Sequence, residues 1–239
     1  MRHLRMLRAL VGGAGLMACV GLLATQARAD TVDYNPATVV VTAQSPITPN
    51  LFGTIALPVR ADRYAMEWHR ASLDASSLPL MQHLVAPARG LSPEQQVAYV
   101  QSAVTQNIRW MSDATEWGRH DYWASAAETL EHGAGDMENR AIVKMQALRT
   151  LGVPSRDLYL TLGRDKVGGP ITVLLVRIGR RFLVLDDLGG APIPAERRLG
   201  FEPMLTLGSN IAWVHGYPYA KAAWAGGRAT AAPRTGSPR

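Results

Sequence analysis

The sequence predicts an α+β fold in which helices come first and pack against an antiparallel sheet built by the residues that follow. Three observations carry this. Helix-start signals stand at Ser92 and Asp136, whereas the stretch from Leu158 to Leu185 changes to short apolar runs broken by Gly179-Arg180. The 239 residues are 47% hydrophobic and 18% charged, which is enough apolar material for one sizeable core. The chain also holds a single cysteine, so that core is built without a disulfide framework.

From the N-terminus, Met1–Arg8 carries three arginines and no acid, and Ala9–Ala24 is almost wholly apolar. Ala27-Arg28-Ala29 fits the small-x-small pattern that precedes signal-peptide cleavage, so residues 1–29 read as a signal peptide and Asp30 as the first mature residue, which places the protein in the periplasm. The apolar run is shorter than the roughly 20 residues of a spanning helix, so no stable membrane insertion is expected after cleavage. A lipoprotein anchored at Cys19 is the lesser alternative: Met17 is atypical for a lipidation box, and the residues after Cys19 stay apolar. Cleavage after Ala29 leaves a mature chain with no thiol. The net charge of +6 would suggest nucleic acid, but it sits at the ends. Arg2, Arg5, Arg8 and Arg28 lie in the leader and Arg228, Arg234 and Arg239 beyond Trp224, so the body between is close to neutral and no nucleic-acid partner is expected.

Residues 30–50, rich in Thr, Val, Pro and Asn, read as an extended lead-in, and 51–224 as the folded domain. Ser92-Pro93-Glu94-Gln95 combines a capping serine, proline at the first helical position and a glutamine placed to close a capping box. Val97, Val100 and Val104 then carry that helix to about Asn107. A second helix is expected from Trp123 to Glu131, with Trp123, Ala127 and Leu130 on its core face. A third is capped by Asp136, lined by Ala141, Met145 and Leu148, and stopped by Gly152 and Pro154. Strands follow at Leu158–Leu162, Ile171–Ile178 and Arg181–Leu185, the last two a tight hairpin, with one further strand within Leu205–Val214. Residues 225–239 are Ala, Gly, Thr, Ser, Pro and Arg, a disordered tail with nothing to bury.

The chemistry-bearing stretch runs from Asn107 to Leu188. It contains Asp121-Tyr122-Trp123 followed by Glu128, then Gly133-Ala134-Gly135-Asp136-Met137-Glu138-Asn139 with Ala141, then Ile171-Thr172-Val173-Leu174, then Leu185-Asp186-Asp187. This resembles the bacterial transglutaminase-like cysteine peptidases, the LapG type of periplasmic enzyme, over roughly Trp68 to Gly216. The pattern of such enzymes is D-x-W…E, G-A-G-D-C-E-D-x-A, H-x-V-L and L-D-N. The resemblance implies a papain-like core and a Cys-His-Asp triad whose members fall on Met137, Ile171 and Asp186. Only the aspartate is kept. A thioether does not ionise, isoleucine moves no proton, and no histidine occurs between His132 and His215. The resemblance therefore implies a pseudoenzyme, not an active peptidase.

Asp136, Glu138 and Asn139 carry a second implication, since acids beside the nucleophile bind calcium in LapG-type enzymes. Here Asn139 replaces an expected aspartate, leaving a weak calcium site or none; Asp136 as a helix cap and Glu138 at the positive helix end account for the same residues without a metal. No other cofactor is implied. Arg140 stands where an aromatic is usual and, if exposed, would charge the former substrate groove. The function read from the resemblance is protein binding, with a large adhesin or an inner-membrane receptor as partner. The alternatives are a residual hydrolase with a non-cysteine nucleophile, for which Ser125, Ser155, Thr172, His120 and His132 are the available groups, or a structural subunit of an envelope secretion system.

Overall fold

A computed structural model describes residues 48–218 with the exception of residue 168. The proposed signal peptide, Cys19, nearly all of the lead-in and the proposed tail lie outside the described residues. In chain order the elements are β1 (Ile55–Val59), α1 (Ala65–Ala71), α2 (Pro79–Val85), α3 (Pro93–Asn107), β2 (Arg109–Trp110), α4 (Asp113–Glu116), α5 (Ala126–His132), β3 (Ala134–Gly135) and α6 (Met137–Thr150). Strands then dominate: β4 (Leu158–Asp165), β5 (Gly169–Ile178), β6 (Arg181–Leu185), β7 (Ile193–Pro194), β8 (Phe201–Leu207) and β9 (Ala212–Gly216). The fold is a mixed one in which helices pack against an antiparallel sheet, as the order of sequence patterns predicts. No helix among the described residues is long and apolar enough to cross a membrane.

Seven strands form the main sheet in the order β1-β9-β8-β4-β5-β6-β7, every neighbouring pair antiparallel. Both of its faces are apolar, which is why β5 reads as a nearly unbroken hydrophobic run. Leu158, Leu160, Leu174, Val176, Leu183 and Leu185 face the helices and share a core with Val97, Val100, Val104, Ile142, Met145 and Leu148. Tyr159, Ile171, Val173, Leu175, Val184 and Trp213 turn to the opposite face and form a second cluster, against which Leu51, Phe52 and Met137 pack. Strand alternation thus separates Ile171 from its neighbour Thr172. At Gly163 the pairing of β4 with β8 shifts register, and a Cβ there would lie 2.5 Å from the Glu202 carbonyl oxygen, so only glycine admits the crossing.

The helix α3 begins as its sequence dictates: Ser92 Oγ accepts from the Gln95 N–H and the Gln95 side chain accepts from the Ser92 N–H. A second capping box starts α5, where Ser125 and Glu128 exchange the same pair of bonds. The expected start at Trp123 is therefore three residues early. Trp123 precedes the helix, buried and stacked on Tyr64 at 5.9 Å, because the Asn139 carboxamide oxygen holds the Ala124 N–H at 2.8 Å and keeps the chain extended there. The single strand expected within Leu205–Val214 is two, β8 and β9, turned by the Gly208 N–H to Ile211 carbonyl bond. The strand β1 and the helices α1, α2 and α4 have no counterpart among the sequence expectations; α4 spans four residues, too short for a periodic signal.

One imidazole ties the sheet edge together. His215 on β9 lies 2.8 Å from the hydroxyls of both Thr54 and Thr206, and Thr206 in turn meets Thr161 at 2.9 Å. Burial pushes the His215 pKa down to about 4. A folded value below the unfolded one, about 6.5, means that the unfolded chain binds the proton more readily between them. This contribution is complete above pH 6.5 and is lost as pH falls toward 4. Urea unfolding of the parent is expected to lose stability from pH 7 to pH 4.5 more steeply than that of His215→Gln, which titrates nothing; parallel curves would show that His215 is not buried neutral.

Candidate functional site

The site forms where the N-terminus of α6 meets the end of the sheet. Gly133, at φ 63°, ends α5, and Ala134-Gly135 pairs in parallel with Arg109-Trp110. A Cβ on Gly135 would lie 2.8 Å from Asn139 Cβ, so the small residue lets the strand pass directly over the helix. Asp136 then caps α6, its carboxylate accepting from the Asn139 N–H at 3.1 Å, and Met137 is the first helical residue. The body of α6 belongs to the first core cluster, whereas Met137 packs against the second, the cluster that contains Ile171.

Met137 and Ile171 border a cavity of about 460 Å³. Trp110, Val167 and Leu188 line it too and are 56%, 97% and 71% exposed, so an open and largely apolar rim borders the two residues, with Asp165 and Asp187 also in the lining. The face assignment of β5 identifies Ile171, not Thr172, as the residue turned toward Met137. Thr172 lies on the helix side, donating to the Glu138 carboxylate at 2.6 Å. No thiol and no imidazole meet at this point.

Asp186 follows directly on β6 and is 2% exposed. One carboxylate oxygen accepts from the Leu188 N–H at 3.1 Å, and the other from Arg198 Nε at 3.1 Å. Arg198 also donates from Nη2 to Asp165 at 2.8 Å. The Asp186 carbonyl accepts from Gln101 Nε2 and from Lys144 Nζ, at 2.8 and 2.9 Å. Asp187 takes the next pair of cations, Arg140 at 3.0 Å and Lys144 at 3.1 Å. Burial lowers the Lys144 pKa, with the Asp187 carboxylate opposing that shift. Arg140 is buried and spent on Asp187 and the Thr105 carbonyl, so it puts no charge on the groove.

The acids beside Met137 lie in a different environment. Burial, reinforced by the neighbouring Glu138 charge, raises the Asp136 pKa to about 8. Burial also raises Glu138 and Asp113. Asn139 is fully buried; its oxygen holds the Ala124 N–H, and its Nδ2 donates to Asp113 at 3.1 Å. Among the described residues, no group of three or more His, Cys, Asp or Glu has the geometry to hold a metal ion.

Ser125, Ser155, His120 and His132 are not brought together at this point. Ser125 and Glu128 are tied up in the α5 capping box, with the Tyr122 hydroxyl donating to the same glutamate at 3.0 Å. Glu128 thus takes backbone and hydroxyl partners. Ser155 and His120 are exposed, and the exposed His132 ring stacks on Trp117 at 4.4 Å. Arg198, Asp165 and the Lys144–Asp187 pair went unnoticed in the sequence. Arg198 sits in an ordinary charged run, Ala195-Glu196-Arg197-Arg198, and nothing local distinguishes it from a surface arginine.

The chain is similar to known proteins across this region. Residues 85–192 fit the family described as bacterial transglutaminase-like cysteine proteinase. The solved structure of Legionella pneumophila LapG is similar at 26% identity with a TM-score of 0.50, covering 56% of this chain and 74% of that one. Its calcium-bound form is similar to the same degree over 75% of its length. The EGTA-treated form, at 22% identity and a TM-score of 0.50, covers 70% of this chain and 96% of its own, and shares the fold. No functionally curated protein matches the chain. Over residues 85–192, a little under half of its length, this chain is thus similar to the bacterial transglutaminase-like cysteine proteinases, and it shares the fold of LapG.

Proposed function

We propose that the protein is an exported, catalytically inactive transglutaminase-like domain that acts by binding another protein. The observation that carries this reading is Met137 as the first residue of α6, packed with Ile171 at the mouth of an apolar cavity. A cysteine peptidase needs at that helix end a thiolate held by a base. The thioether supplies no nucleophile and the isoleucine no base. The groove has kept apolar rim residues that a peptide can cover: Trp110, Val167 and Leu188. Its partner, on this reading, is the periplasmic N-terminal region of a large surface adhesin, shielded here from an active relative, or an inner-membrane receptor that would otherwise hold that relative.

The purified protein is expected to leave an adhesin fragment intact under conditions in which an active relative cleaves it, and to bind that fragment or the receptor in a pull-down from envelope extract. The variant Met137→Cys should remain without turnover, because a thiol among apolar groups with no base stays protonated. Cleavage by the unmodified protein, abolished by one substitution here, would establish a hydrolase with another nucleophile. Export predicts that N-terminal sequencing of protein from cells begins at Asp30; a lipidated Cys19 or an intact Met1 would overturn that part.

Calcium, which the solved calcium-bound LapG contains, would be held in this chain by Asp136 and Glu138. Two adjacent carboxylates with raised pKa values fit a divalent cation in charge, but a full site needs more oxygens. The residue at 139 works against it: its side-chain oxygen is taken by the Ala124 N–H, and its Nδ2 donates to Asp113, so neither end is free to help hold a cation. Calorimetry should therefore find weak calcium binding that Asn139→Asp strengthens and Asp136→Ala removes. Tight binding that survives Asp136→Ala would place the ligands elsewhere.

A further inference from the structure

The retained aspartate of the family triad is not idle. In an active site its carboxylate would orient an imidazole. Here that carboxylate is buried, one oxygen is on the Leu188 N–H, and the other is on Arg198 Nε. The guanidinium, its side chain only 8% exposed, spends its remaining nitrogens on Asp165 and on the Leu199 carbonyl. All three of its nitrogens have partners, and Asp186 has been given a cation that is not a histidine.

We propose that Arg198 is the permanent counter-ion of Asp186, replacing the lost imidazolium with a charge that cannot be discharged and so locking the site against acid–base chemistry. This rests on the reading of Ile171 as the base position. An imidazole titrates near neutrality, whereas a guanidinium stays protonated above pH 12 and can accept no proton. With Arg198 in place, the strand ends carrying Asp165 and Asp186 stay joined, and the groove keeps its shape. The chemistry is gone and the scaffold remains. Restoring Cys and His alone would therefore not restore a triad, because the orienting carboxylate is already taken.

The test reads the pKa of the imidazole introduced by Ile171→His, followed by NMR, with and without Arg198→Gln. With Arg198 intact that pKa should not rise above the ordinary imidazole value, because the carboxylate is matched by a cation. Arg198→Gln should raise it by about 1 unit, the effect of an adjacent unmatched carboxylate, and adding Asp186→Asn should remove the rise. A pKa already raised by about 1 unit with Arg198 present would overturn the counter-ion role. No response to either substitution would overturn the placement of Ile171, and so the reading on which the inference rests. Thermal unfolding of the otherwise natural chain supplies a second measure. Arg198→Gln and Asp186→Asn should each lower the melting temperature, and the double variant should melt no lower than the worse single one; strictly additive losses would overturn the pairing. If Arg198→Gln does not fold, an imidazole pKa raised by about 1 unit with Arg198 intact still overturns the role, and Asp186→Asn, which should lower that pKa, still tests the placement of Ile171.

Discussion

The structure depends on the burial of α6 along almost its whole length. Ten of its residues, Asn139 through Leu148, are shut away from water, although four of them are polar or charged. A buried polar group without a partner costs about 1–3 kcal/mol, and more when it carries charge. Each of the four must therefore reach out of the helix. Asn139 fastens the loop before α5, Arg140 and Lys144 fasten Asp187 after β6, and Gln146 donates to the Ala71 carbonyl at the end of α1. These tethers position the irregular segments around the helix N-terminus. They hold the groove in shape whether or not chemistry takes place there.

On the proposed reading of the site, catalytic loss and a persistent architecture are compatible. A nucleophile and a base contribute little to folding, and Met137 and Ile171 at those positions extend the second core cluster. The acids are costlier to abandon. Breaking a buried ion pair by removing one partner costs about 3–5 kcal/mol, because the other charge stays behind. Asp186 is bound into an ion pair with Arg198, and Asp187 into another with two cations of α6. The electrostatics of the fold thus account for Asp186 without any part in chemistry.

The acids around the site fall into two electrostatic environments. At the strand ends, Asp165, Asp186 and Asp187 are matched by Arg198, Arg140 and Lys144. The second environment is the start of α6. At its N-terminus, Asp136 and Glu138 face one another with only hydrogen bonds for support, and their pKa values rise. In the half with matched charges the protein is self-sufficient. The other half keeps buried acids without a paired cation among the described residues, where Asn139 supplies Asp113 with a neutral hydrogen-bond donor.

What the sequence determined by itself is local. The cap residues Ser92 and Asp136 set the starts of α3 and α6, apolar runs marked β5 and β6, and Gly179-Arg180 placed their turn, because each is decided by hydrogen bonds or torsions within a few residues. The absence of a thiol at Met137 was legible at once, since it is a matter of composition. The start of α5 was not, although the Ser125–Glu128 signature was there to read, because its competitor was a contact from Asn139, fifteen residues further along the chain. Only the tertiary structure decided which face of β5 carries Ile171, that Arg140 is buried, and that Arg198 answers Asp186. Each of these turns on a partner brought close by sheet pairing or helix packing, and a charged side chain looks the same in sequence whether it faces water or a buried carboxylate.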